Sequence, residues 1–184
     1  RTMMNFFLEH RFYLLNNSVD ITPGITANYF SDFGTHSFPG IDLGWQINPK
    51  LRLYANAGAI FRIPTFTDLY YSDRTTLGNP DLKPEKATSN EIGLRFANSK
   101  VTASLAVYNR KAEHLIDYVK NSDDDSTPFR AENIQQVNTR GIDLEIMHRI
   151  PVRTLTHEFK LSYSYLENNL EDSGYNFSRY SINN

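Results

Sequence analysis

Apolar and polar residues trade places along most of this chain. In MNFFLEHRFYL, Met4, Phe6, Leu8, Phe12 and Leu14 share one face, with His10 the exception, while Asn5, Glu9 and Arg11 take the other. In LRLYANAGAIFR, the face running from Leu51 through Leu53, Ala55, Ala57 and Ala59 to Phe61 is wholly apolar, and Arg52, Asn56 and Arg62 lie opposite. TSNEIGLRF, VTASLAVYN, GIDLEIMHRI and THEFKLSYSYL repeat the pattern around Leu94, Leu105, Leu144 and Leu161. A period of two predicts strands, because successive side chains of an extended backbone point to opposite faces. Val19 to Phe30 and Phe38 to Ile47 complete about eight strands, several longer than the usual ~5–6 residues.

The predicted connections alternate in length. Short ones fall at Leu15–Ser18, Asn48–Lys50, Ala97–Ser99 and Pro151–Arg153, with the Asn and Pro content of tight turns. Longer ones fall at Ser31–Ser37, Ile63–Lys86, about Lys120–Glu132 and Asn168–Arg179. Short turns at one end and long loops at the other suit a transmembrane barrel. The alternation also suits a soluble sandwich, whose apolar face is core rather than lipid contact. Strand length favours the barrel, since a tilted spanning strand needs ~9–11 residues. Phe30, Phe61, Tyr108 and Tyr118 near the long loops, with Phe12 and Phe96 near the short turns, are expected to form two interfacial belts.

The longest interruption is FRIPTFTDLYYSDRTTLGNPDLKPEK, Phe61 to Lys86. Its three prolines and glycine exclude a central strand or a long helix. Its apolar rings are too many for an idle linker.

Composition narrows the function classes. The 184 residues suffice for one domain, and a net charge of −2 offers no basic footprint for nucleic acid. Mean hydropathy is −0.50, and no apolar run reaches the ~20 residues of a membrane helix. Barrel strands escape that test because they average out. Cysteine is absent, which removes disulfides, thiolate metal sites and thiol nucleophiles. The N-terminal residues carry no signal-peptide core. No nucleophile elbow, phosphate loop or dinucleotide fingerprint occurs, so no enzyme is expected. The five histidines form no paired ligand motif.

The segment FRIPTFTDLYY followed by GNPDLKPEKATSNEIGLRF resembles the mid-barrel signature of TonB-dependent outer-membrane receptors. That signature is a strand ending in F-R-x-P-[ST], an aromatic loop, then N-P-x-L-x-P-E and a strand with E-x-G. Phe61, Arg62, Pro64 and Thr65 match its first half. Asn79, Pro80, Leu82, Pro84, Glu85, Glu91 and Gly93 match its second. Downstream, ENIQQVNTRGIDLEI resembles the next marked strand of the family, through Asn133, Arg140, Gly141, Asp143 and Glu145.

The resemblance implies an all-β, antiparallel up-and-down meander, about eight strands of a larger transmembrane barrel of roughly 22. Residues 1–184 are then read as a partial barrel domain that lacks the plug and the C-terminal strands. The implied function is active import of a scarce nutrient across a Gram-negative outer membrane, energised by a TonB partner through the plug. Cobalamin or a small ferric siderophore is the implied cargo, and outer-membrane lipid the implied surroundings. The rival readings are a soluble β-rich cell-surface binding domain and, more distantly, a β-rich glycoside hydrolase.

The resemblance places the Phe61–Lys86 loop outside the cell, near the receptor mouth. Tyr70, Tyr71, Asp73 and Arg74 are the candidate ligand contacts, because rings give contact area at low entropic cost and Arg reads charge. Phe61, Arg62, Pro64, Asn79, Pro80, Leu82, Pro84, Glu85 and Gly141 are expected to serve structure, with Glu85 bonding loop backbone. Asp123, Asp124 and Asp125 in NSDDDS could offer oxygens to calcium, which is known in loops of cobalamin receptors of this family, although a solvated loop explains them as well.

Overall fold

The computed structural model describes residues 1–122, 124, 126–171 and 177–178. Its strands are β1 (Met3–Glu9), β2 (Phe12–Leu14), β3 (Val19–Phe30), β4 (Gly34–Asn48), β5 (Leu51–Arg62), β6 (Thr76–Leu77), β7 (Glu85–Ala97), β8 (Val101–Lys120), β9 (Phe129–Val152), β10 (Leu155–Glu171) and β11 (Phe177–Ser178). One short helix, α1 (Phe66–Tyr70), lies between β5 and β6. Pairing follows the order β1-β3-β4-β5-β7-β8-β9-β10, with β2 on β3, β6 on β9 and β11 on β8. This is the expected meander of eight main strands, since β1 and β2 are one strand with a break. The break has a cause in Pro23. His10 N–H donates to the Pro23 carbonyl at 3.2 Å, and proline has no N–H to return.

The chain divides into two compact units. The first comprises Arg1–Ala59, Ser89–Asn109 and Arg140–Leu166, and the second Ile60–Thr88, Arg110–Thr139 and Glu167–Asn184.

In the first unit the registers resolve the two faces. Phe6 pairs with Ala27, Leu8 with Ile25 and Leu14 with Val19. Ile21 pairs with Leu43 and Val19 with Trp45, and on β5 Leu43 meets Ala55 and Trp45 meets Leu53. These residues make one continuous apolar face. His10, the polar exception, sits edge-on to the Phe12 ring with centroids 4.5 Å apart. The face is uncovered: Phe6 is 61% exposed, Trp45 48% and Leu105 41%. A soluble sandwich would bury these side chains against a second sheet. Among the described residues there is one sheet, and its apolar face is the one a lipid-embedded barrel turns to hydrocarbon.

The opposite face is polar and laced across strands. Arg52 on β5 reaches over β4 to Asp20 on β3 at 2.6 Å. It passes above Gly44, where a Cβ would collide with the guanidinium and the Asp20 carboxylate. Tyr54 lies over Gly93 and Tyr108 over Gly141 in the same manner, each ring occupying the space a Cβ would need. Arg95 stacks on Tyr54 at 4.7 Å. Arg149–Glu158 at 2.6 Å and Lys160–Glu145 at 3.0 Å join β9 to β10.

The short turns use the residues the sequence supplies. Asn16 and Asn17 have φ of 54° and 65°, the positive values that a tight hairpin matched to strand twist requires. Asn48 accepts from the N–H groups of Lys50 and Leu51, and Asn98 repeats the arrangement with Lys100 and Val101. Such side-chain turns mimic a backbone turn.

Three expectations are corrected. The Ser31–Ser37 loop shrinks to Ser31–Phe33, because Gly34 and Thr35 already pair with Phe30 and Tyr29. Polar Thr35 and Ser37 hid this pairing from the period-two pattern. The last turn falls at Arg153–Thr154 rather than Pro151–Arg153, since β9 runs on to Val152 and Arg153 takes the positive φ of 54°. Phe30, Tyr108 and Tyr118 join no outer belt. Phe30 and Tyr118 are buried, and Tyr108 covers Gly141 on the polar face.

Candidate functional site

The second unit carries nearly all the hydrophobic core. Leu69, Leu82, Ile116, Val119, Ile134 and Val137 are buried in it, together with Pro64. The Phe61–Lys86 segment therefore folds as a packed body, and its core is where the apolar residues missing from an ordinary linker go.

Helix α1 is five residues long, too short to hold itself in water. It is held by a capping box. Thr65 Oγ1 accepts from Asp68 N–H at 3.1 Å, and Thr65 N–H donates to Asp68 Oδ2 at 2.9 Å. The other Asp68 oxygen accepts from the Tyr118 hydroxyl at 3.2 Å. Arg62 then bridges two carboxylates. Its Nε and Nη2 donate to Glu85 at 2.5 and 2.6 Å, and its Nη1 lies 3.7 Å from Asp68. Glu85 also accepts from Ile116 N–H at 2.8 Å. That bond lands on β8 just past His114, a non-glycine residue at a φ of 56°.

Gly78 explains how closely the loop folds back on α1. A Cβ there would stand 2.8 Å from the Leu69 carbonyl carbon and from the Tyr70 nitrogen. Asn79 N–H donates to the Asp68 carbonyl at 2.8 Å, its Oδ1 accepts from Asp81 N–H, and its Nδ2 donates to Glu132 at 3.3 Å. Leu82 is buried between the flanking Pro80 and Pro84.

The four candidate ligand residues fall into two groups. Tyr70 is 65% exposed and stacks with Phe66 at 6.2 Å, the two rings one helical turn apart. Arg74 is exposed, and among the described residues no hydrogen bond or ion pair engages its side chain. Tyr71 is also exposed, but its hydroxyl donates to Asp73 Oδ2 at 2.8 Å. Asp73 Oδ1 accepts from Thr75 N–H and Thr76 N–H, both at 2.7 Å, and from the Thr75 hydroxyl at 3.0 Å. These donors, the Thr75 backbone first, hold the Asp73 carboxyl down at about 2. Asp73 thus closes the turn that carries Arg74.

Asp124 is committed in a similar way: Ser126 donates its hydroxyl and its N–H to the carboxylate, and both bonds lower its pKa. Asp123 and Asp125, the other two expected calcium ligands, lie outside the described residues. Among the described residues no three His, Asp or Glu side chains converge as a metal site.

Reading the sequence alone gave no place in the site to Phe66, Asp68 or Glu132, and set Tyr118 in a lipid belt instead. Thr65-x-x-Asp68 is a capping-box pattern, and Phe66 and Tyr70 stand four apart, so two of these were signalled locally. Tyr118 and Glu132 meet the loop only through tertiary contact.

Comparison with known proteins places this architecture. The family described as TonB dependent receptor-like, beta-barrel, matches residues 1–184. The Vitamin B12 transporter BtuB of Photobacterium profundum is 31% identical over 136 residues, 73% of this chain and 21% of that protein. BtuB of Vibrio vulnificus is 30% identical over 131 residues, 71% and 21% respectively. Among solved structures, the siderophore receptor PirA from Pseudomonas aeruginosa superposes with a TM-score of 0.70 at 18% identity, covering 89% of this chain and 32% of that one. The copper transporter OprC gives 0.69 at 17%, covering 90% and 29%. The chain spans about a fifth of the length of the curated relatives it matches. With its uncovered apolar face, its polar opposite face and a match along its whole length, the chain belongs to the TonB-dependent receptor family, as part of a β-barrel of the Gram-negative outer membrane and not as an enzyme.

Proposed function

We propose that the receptor containing this chain imports cobalamin, or failing that a compact ferric siderophore, with energy delivered by TonB through a plug outside residues 1–184. One observation carries the order of preference. The relatives at 30–31% identity over more than 70% of the chain are vitamin B12 transporters, whereas the siderophore and copper receptors share the fold at under 20%. The barrel portion binds and lets pass; it breaks no bond. Tyr70, Tyr71 and Arg74 contact the cargo, and Asp73 sets the hydroxyl of Tyr71 and the course of the turn. Rings and a guanidinium suit a large, partly apolar chelate with polar substituents.

The test is uptake in the native host. Deleting the full-length gene abolishes uptake of radiolabelled cyanocobalamin, and a plasmid copy restores it only where TonB is present. Loss of ferric siderophore uptake alone moves the assignment to the second cargo. Unchanged uptake of both overturns the proposal.

A further inference from the structure

We propose that Asn133 on β9 is a positioning residue for ligand binding at α1. It contacts no ligand itself, and the inference rests on the receptor function above. Its side-chain amide is fully directed. Oδ1 accepts from Lys83 N–H at 2.8 Å, while Nδ2 donates to the Lys83 carbonyl at 2.9 Å and to the His114 carbonyl at 2.7 Å. The reverse orientation would set an oxygen against two carbonyls, so the network fixes which atom is which. The amide therefore acts for Lys83 as a neighbouring strand would, exchanging both backbone bonds, and ties that residue to the irregular point of β8.

What it holds is the floor beneath the helix. Asn79 to Glu85 is pinned at three places: Asn79 by Glu132, Lys83 by Asn133, and Glu85 by Arg62 and the Ile116 N–H. Glu132 and Asn133 are adjacent on one strand, so β9 grips the segment twice. The segment in turn carries α1. Asn79 N–H bonds the Asp68 carbonyl, Gly78 N–H bonds the Tyr71 carbonyl at 2.6 Å, and Gly78 lies flush against the Leu69–Tyr70 peptide. A chain of direct contacts thus runs from Asn133 to the backbone that presents Tyr70 and Tyr71. Two prolines stiffen the segment but make no N–H bonds, so its placement falls to these side chains. In the receptor as built, α1 is set before cargo arrives, and binding pays no ordering entropy there.

The experiment uses the full-length receptor in detergent, comparing native protein with Asn133→Ala, Asn133→Asp and Asn133→Ser. Asn133→Asp keeps the acceptor for Lys83 N–H and removes both donors. Amide exchange is followed over residues 66–79, whose Leu69, Tyr71, Gly78 and Asn79 N–H groups are bonded within the loop. Affinity is measured for cyanocobalamin and for ferric enterobactin. In the native protein these amides are protected without ligand and change little on binding. In Asn133→Ala they exchange about tenfold or more faster without ligand, regain protection at saturation, and the Kd of the bound probe rises about five- to thirtyfold. Asn133→Asp sets a carboxylate oxygen against the Lys83 and His114 carbonyls and exchanges at least as fast as the alanine variant. Asn133→Ser, which keeps one donor and one acceptor on a shorter side chain, falls between native and alanine and stands in if the alanine variant does not reach the membrane folded.

Native protection in ligand-free Asn133→Ala overturns the positioning role. So does lost protection with Kd within twofold of native. If the native receptor binds neither probe, the cargo assignment fails, and the ligand-free exchange data still decide whether Asn133 sets α1.

Discussion

Removing Arg62 should loosen the Phe61–Glu85 body while leaving the spanning strands in place. The guanidinium neutralises Glu85 and Asp68, whose side chains are only 14% and 11% exposed, while its own is 49% exposed. Breaking a fully buried ion pair costs ~3–5 kcal/mol, and an exposed one under ~1. A half-exposed cation between two nearly buried anions lies between, so Arg62→Ala should cost about 2 kcal/mol of local stability. Glu85→Ala should cost more, about 3–4 kcal/mol, because it also orphans the Ile116 N–H, a group worth ~1–3 kcal/mol when buried unpaired. Arg62→Lys keeps the charge but not the two-pronged fit, and should lose about half as much as alanine. Limited proteolysis of the folded receptor, with amide exchange at Ile116, reads the local free energy. The order Glu85→Ala, then Arg62→Ala, then Arg62→Lys is the signature. Arg62→Ala with cleavage and exchange indistinguishable from native would falsify the reasoning.

Two further outcomes are expected. Leu105→Arg places a charge on the exposed apolar face of β8 and should cost ~2–4 kcal/mol of barrel stability near the bilayer midplane; normal heat-modifiable migration and urea resistance of that variant would contradict the assigned orientation. Asp73 has a depressed carboxyl, so its contribution to the turn is complete above the ordinary value of ~3.9 and is lost only as pH falls through about 2. A carboxyl titration by NMR should show a midpoint near 2 and a Tyr71 environment unchanged from neutral pH down to ~3, and a midpoint near the ordinary value would dissolve the proposed turn.

The strands were legible because period two is a property of local sequence. Alternate residues from Leu51 to Phe61 announce the apolar face without reference to any partner. The grip on the loop was not legible for the opposite reason. Glu85 finds its cation 23 residues upstream and its backbone donor 31 residues downstream, and Asn133 finds Lys83 across 50 residues. Those meetings depend on strand register and on the irregular backbone at His114, which no local pattern encodes. Phe30 and Tyr108 show a subtler failure. Nearness to a loop suggested a lipid belt, but parity with the apolar neighbours Tyr29 and Val107 already put both rings on the other face. For the candidate site, residue type marked Tyr70 and Arg74, which the structure leaves exposed, but gave no sign that the Asp73 carboxylate closes its own turn.

The tyrosine rings lying over glycines bear on how such a long sheet finds its alignment. A strand slipped by one residue exposes its error at once, since apolar side chains then face water. A slip by two keeps every face correct and could pass unnoticed. Tyr108 removes that tolerance, because such a slip can bring Asp143 where Gly141 belongs, and the ring then has no bed. Tyr54 checks the β7 side likewise, with Glu91 and Arg95 flanking Gly93. Each ring and gap works as a notch and tooth, so a hairpin slipped by two residues loses a fit that only the native register supplies.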